Sequence, residues 1–184
     1  MMRIAHLLAA AALLALSACS KPAASNDPAS TAATKSDKSL TEVIGGDSQF
    51  KTLAAGLKST GLDGVFSGKG DYTLLAPTET AFTALGDKAA GLTAPDQQAM
   101  LAAVLRGHVL PGMLTTGDIA KAIDANGGKA VSMRTMGTGT VNFARNGPDL
   151  TVTADDGSSA KLSGAGMSAS NGAVLPIDAV LKKF

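Results

Sequence analysis

The feature that most constrains this chain is a change of apolar period near Gly127. Ahead of it, apolar side chains recur every three or four residues, the spacing that lines one face of a helix; beyond it, short strand-forming runs are cut by glycine turns. There is no strict internal repeat. Helix-forming sequence followed by strand-forming sequence predicts one α+β domain, with helices grouped against or beside an antiparallel sheet system.

In the helical part, Phe50, Leu53, Ala54 and Leu57 share one face behind a cap at Asp47 or Ser48, and Leu62, Val65 and Phe66 continue the packing as far as Gly68. Residues 72–76 read as a strand ended by Pro77, which has no N–H for a ladder. Thr78 is placed to cap the next helix, with Ala81, Phe82 and Leu85 turned to the core. A longer helix is expected from Pro95, carrying Met100, Leu101, Val104 and Leu105 inward. His108-Val109-Leu110 is a brief extended segment before a turn at Pro111-Gly112, and Thr116 is the expected cap of a helix holding Ile119, Ala120 and Ile123. Strands are expected at residues 130–133, 140–143, 150–153, 161–162 and, in one or two pieces, 174–181. Asn171-Gly172 should turn the chain into the last strand, with Gly172 at positive φ, so that valine there is worse than alanine.

Residues 1–18 place Arg3 ahead of an apolar run from His6 to Leu16, the layout of an export signal. At about a dozen residues the run is short for a permanent span, which takes roughly 20. It ends in Leu16-Ser17-Ala18-Cys19, small residues directly before the single cysteine of the chain. This resembles the lipobox of bacterial lipoproteins, and the resemblance implies cleavage before Cys19 and acylation of its thiol. An ordinary secreted protein cut nearby is the rival reading, and it leaves Cys19 without a use. An acylated Cys19 leaves the mature chain with no disulfide, thiolate nucleophile or cysteine-ligated metal. Two or more acyl chains would anchor it durably in a membrane. Ser20 resembles an outer-membrane sorting pattern, so the expected place is the cell envelope, at the outer membrane where there are two.

Residues 20–39 hold no large apolar side chain and are expected to form a flexible tether. The expected division is therefore residues 1–18 as signal, 19–39 as lipidated cysteine and tether, and 40–184 as the domain. The signal removes Arg3 from 16 basic side chains, leaving 15 against 15 acidic ones. That balance lacks the basic excess of a nucleic-acid binder, and no nucleic acid is expected as a partner.

Three stretches then stand out together. Tyr72-Thr73-Leu74-Leu75-Ala76-Pro77-Thr78-Glu79-Thr80-Ala81-Phe82 resembles the first conserved box of the fasciclin, or FAS1, domain family. Leu105-Arg106-Gly107-His108-Val109-Leu110-Pro111-Gly112 and the run from Ser168 through Asn171-Gly172 to Asp178 and Leu181 follow in the order and at the distances of that family. The resemblance covers residues 40–184. It implies a wedge-like β-sandwich with helices packed at one side and edge, serving adhesion or extracellular protein interaction without catalysis. The chain departs from the pattern at Leu75, Glu79 and Gly107, and Val174-Leu175-Pro176 runs where an isoleucine and a histidine are usual.

No reactive constellation emerges beside that resemblance. His108 is the one histidine outside the signal, and a catalytic histidine needs a nucleophile at roughly 3 Å and an orienting group. No Gly-x-Ser-x-Gly elbow supplies one, so His108 is expected to bond backbone near the Pro111 turn. Asp149, Asp155 and Asp156 lack the ligand spacing of a calcium loop, and Asp156-Gly157 reads as a hairpin turn. Met113, Met133, Met136 and Met167 are expected in core and sheet packing, with a soft ligand groove as the other use. No metal, cofactor or catalytic residue is expected. The structural positions are Ala76, Pro77, Thr78, Phe82, His108, Pro111, Gly112, Asn171, Gly172 and Asp178, with Cys19 the lipid site.

The expected function is a non-enzymatic envelope module that binds a protein or surface polymer, held outward by its lipid anchor and tether. The alternative is a carrier or sensor of a small apolar ligand, which would require an enclosed cavity of about 300 Å³ or more.

Overall fold

The computed structural model describes residues 36–68 and 70–183. Cys19, the signal and most of the tether lie outside the described residues. The domain's contacts reach back past residue 40, because Ser36 N donates to Ser168 O at 3.4 Å and Ser170 N to Lys38 O at 2.8 Å.

α1 (Leu40–Gly46) follows at once and was not anticipated. Its signal was present as Ser39-x-x-Glu42: Ser39 Oγ accepts from Glu42 N, and Glu42 Oε2 accepts from Ser39 N at 2.7 Å. These reciprocal bonds occupy two donors that the first turn would leave open. Asp47 then accepts from Gln49 N and starts the 3₁₀ turn Ser48–Phe50, which feeds α2 (Lys51–Ser59). A second 3₁₀ segment, Leu62–Ser67, buries Leu62 and Phe66.

β1 (Tyr72–Pro77), α3 (Glu79–Ala84), α4 (Asp87–Thr93), the 3₁₀ turn Pro95–Gln97, α5 (Gln98–Gly107) and β2 (Val109–Pro111) come next. α6 (Thr116–Ala125) precedes β3 (Val131–Arg134), β4 (Thr140–Asn146), β5 (Asp149–Ala154), β6 (Ser159–Lys161), β7 (Met167–Ala169) and β8 (Gly172–Ile177). α4 and β7 were not assigned from sequence.

Two caps differ from expectation. Thr78 has the backbone of an N-cap, yet its hydroxyl makes no cap bond and lies 2.8 Å from Thr80 Oγ1. The cap of α6 is Thr115, not Thr116: Thr115 and Asp118 form a second reciprocal box.

The strands form two four-stranded sheets, β2-β1-β8-β7 and β3-β4-β5-β6. The second is antiparallel throughout. The first is mixed, against the antiparallel expectation, because the central pair β1 and β8 runs parallel, with Tyr72 opposite Gly172 and Pro77 opposite Ile177.

That central pair is buried on both faces, so its residues divide by period two between two cores. Leu74, Ala76 and Val174 face the helical core with Leu53, Phe66, Phe82 and Leu105. Leu75, Leu175 and Ile177 face the inter-sheet core with Val141, Phe143 and Val152, which α6 closes with Ile119 and Ile123. The fold is α+β, a helical layer on one face of a mixed sheet and an antiparallel sheet on the other.

Pro176 fits this centre without breaking it. Its carbonyl accepts from Ser163 N, so its own nitrogen is on the side away from β1, beyond the last β7 partner at Val174.

Candidate interaction surface

The motif residues assemble around the β1–β8 pair. Ala76 is opposite Pro176, and beyond Pro77 the Thr78 N–H donates to Ile177 O at 3.1 Å. Phe82 turns from α3 into the helical core. At the far end of the pair, Asn171 Oδ1 accepts from Leu40 N at 2.8 Å, Asn171 Nδ2 donates to Phe66 O, and Asn171 O accepts from Tyr72 N. One residue, through its side-chain amide and its backbone carbonyl, thus ties α1, the second 3₁₀ segment and β1 together.

Gly172 is the first residue of β8; the reversal itself is Ser170-Asn171, because Ala169 pairs with Gly172. Its φ is +153°, and a Cβ there would overlap Tyr72 O and lie 2.9 Å from Tyr72 C.

Pro111 belongs to β2, opposite Tyr72, and Gly112 makes the turn at φ +91°. The turn is held by a residue the sequence reading missed: buried Thr73 donates its hydroxyl to Gly112 O at 2.7 Å and accepts from Leu114 N at 2.8 Å. Asp178 is exposed, yet its carboxylate accepts from Lys161 N at 2.7 Å and joins the ends of the two sheets.

His108 is fully buried and bonds backbone on both sides, though not at the Pro111 turn. Nδ1–H donates to Val104 O at 2.8 Å, and Nε2 accepts from Leu181 N at 2.9 Å. These partners fix the neutral ring, and burial pushes its pKa down to about 4.

The carboxylates are likewise occupied with backbone. Asp155 accepts from Thr140 N and Thr140 Oγ1, both at 2.6 Å, which lowers its pKa. Burial alone would raise Asp156, but the N–H groups of Lys183 and Ser158 and the Ser158 hydroxyl outweigh it and hold it at about 2. Gly157 N bonds back to Ala154 O, so this segment is the expected hairpin turn. Among the described residues no group of three or more His, Cys, Asp or Glu side chains is placed to hold a metal ion.

The methionines do not line one groove. Met133 packs on the inter-sheet core and Met167 on the helical core, while Met113 and Met136 are exposed. Met100, expected inside, is 47% exposed. The inward stripe of α5 is Leu101, Val104 and Leu105, and Met100 is one step off its edge.

It instead borders an open, mostly apolar groove of about 400 Å³ between α4 and α5, with Leu92 as floor, Ala94 on the wall and Lys88 and Asp96 at the rim. Sequence reasoning missed this site because α4 was not recognised. Among the described residues no helix is long and apolar enough to cross a membrane.

Comparison with known proteins adds relatives to this geometry. The profile described as Fasciclin domain matches residues 48–183. Protein sll1483 of Synechocystis sp. is 32% identical over 157 residues, covering 83% of this chain and 77% of that protein. Among solved structures, a FAS1 domain pair from the insect cell adhesion molecule Fasciclin I superposes with a TM-score of 0.56 at 22% identity. The match covers 71% of this chain and 44% of that one, so the chain spans less than half of the solved pair.

Proposed function

The chain belongs to the fasciclin domain family, and from that premise we propose that it is a non-enzymatic binding module of the cell envelope whose partner is an envelope protein or surface polymer. Fasciclin domains are associated with adhesion or binding and are generally not catalysts. The observation that carries the reading is the α4–α5 groove: an exposed Met100 beside an apolar floor, with a cation and a carboxylate at the rim. A flexible thioether adapts to an incoming apolar group, and the rim can fix its orientation.

The anchor belongs to the same proposal, with Cys19 acylated and the domain tethered to the cell envelope, at the outer membrane where there are two. The test is matched capture from native envelopes with lipidated wild type, Met100→Glu, and a Cys19→Ser form that lacks the acyl mass. Loss of one partner with Met100→Glu, at unchanged unfolding, supports the groove; identical capture removes it. An unchanged lipid mass in Cys19→Ser removes the anchor.

A second reading, a small apolar ligand, has the groove's volume in its favour, above the roughly 300 Å³ of small ligand sites, but the groove is open and not the enclosed cavity that a carrier requires. Saturable binding of an apolar fluorescent probe, lost in Met100→Glu, would select it over a macromolecular partner.

A further inference from the structure

The C-terminal segment crosses the open end of both cores. Adjacent Val180 and Leu181 are 5% and 6% exposed, and Val180 belongs to the helical core while Leu181 belongs to the inter-sheet core. Beyond the Asp178 N bond to Lys161 O, no regular ladder secures the described residues past β8. Two side chains from distant elements do so instead: His108 at the end of α5 holds Leu181 N, and Asp156 in the β5–β6 turn holds Lys183 N at 2.8 Å.

We propose that residues 179–183 form an acid-released clasp: protonation of His108 breaks its bond to Leu181, frees the segment and uncovers the ends of both cores while the sheets remain paired.

The geometry makes the two protonation states exclusive. Neutral His108 accepts from Leu181 N–H at Nε2, but a proton on Nε2 would set one donor against another, and Nδ1 is already spent on Val104 O. The cation must find water, and the ring reaches water once the segment over it lifts.

The surrounding charges are Arg106 on α5, Asp155 and Asp156 in the β5–β6 turn, and Asp178, Lys182 and Lys183 around the segment itself. Asp156 is the one whose field reaches the ring, and it favours the cation less than burial opposes it. Asp156, held at about 2, stays ionised through the range in which His108 changes, so the change of charge in that range falls on His108.

Amide hydrogen exchange of the full-length protein tests this, with rates corrected for the intrinsic effect of pH. Protection of the Leu181 amide should be lower than that of the β8 amides at every pH, and it should fall roughly 20-fold between pH 7 and pH 5, as an open state with an ordinary histidine requires. In His108→Gln the fall should vanish. Equal protection for Leu181 and β8 would show that the segment leaves only when the whole domain unfolds, and it would overturn the clasp. So would a Leu181 protection that does not change between pH 7 and pH 5. The wild-type measurement decides the matter by itself if the variant does not fold.

Discussion

At the scale of single residues, Gly172 is the position with least freedom. Its α-carbon faces the Tyr72 carbonyl across the parallel pair, and Leu40 Cδ1 lies 2.8 Å from where a Cβ would be. The sequence suggests that alanine is milder than valine, because branching adds bulk. The structure removes that distinction, since the first carbon already overlaps backbone that β1 cannot withdraw. Gly172→Ala should therefore cost about 3 kcal/mol or more, in the range of severe packing defects. Gly127 is the control: it has φ +66° and open space around it, so alanine there meets only conformational strain of about 1–2 kcal/mol. Denaturant unfolding of the two variants should separate them, and equal costs would mean that close approach to Tyr72 is not what requires glycine at 172.

At the scale of elements, the departure at Glu79 acquires a physical meaning. Its carboxylate reaches back 27 residues, accepting from Thr52 N at 2.6 Å and Thr52 Oγ1 at 3.0 Å. It sits against the first turn of α2, where unpaired N–H groups favour an anion, and so ties α3 to α2. Glu79→Ala should cost about 1 kcal/mol and raise exchange of the Thr52 amide selectively, whereas loss spread evenly over the domain would place the contact elsewhere. Contacts of this kind are why sequence legibility was uneven. β4, β5 and the inward stripes of α2 and α5 follow from local period. α4 holds one buried apolar residue, Leu92, and offers no stripe to read. β7 is three residues long and β8 is apolar on both faces, so their pairing depends on partners far away in sequence. The groove was illegible for the same reason as α4. His108 was readable as structural, but not its partner Leu181, because no local rule brings residue 181 to residue 108.

At the scale of the molecule, acid should act in two stages. The pKa of His108 is depressed, so its contribution is complete above about pH 6.5; below that the unfolded chain takes a proton that the closed fold refuses until about 4. Stability should fall by up to about 3 kcal/mol across that window. Glu42, Asp118, Asp155 and Asp156 are depressed carboxylates, so what they contribute is present above their ordinary values near pH 4 and is lost only on further acidification. Urea unfolding from pH 8 to pH 3 should show both stages, with the upper one absent in His108→Gln; a flat profile above pH 5 would contradict the burial of that ring. The whole molecule also depends on where its chain enters. β7 would be a bare border of the mixed sheet were it not for residues 36 and 38, whose backbone occupies Ser168 and Ser170. Among copies crowded side by side on one surface, an uncovered border is a template on which each domain adds its strand to the next. Residues 36 and 38 therefore also guard against polymerisation, keeping neighbouring domains separate where copies crowd together.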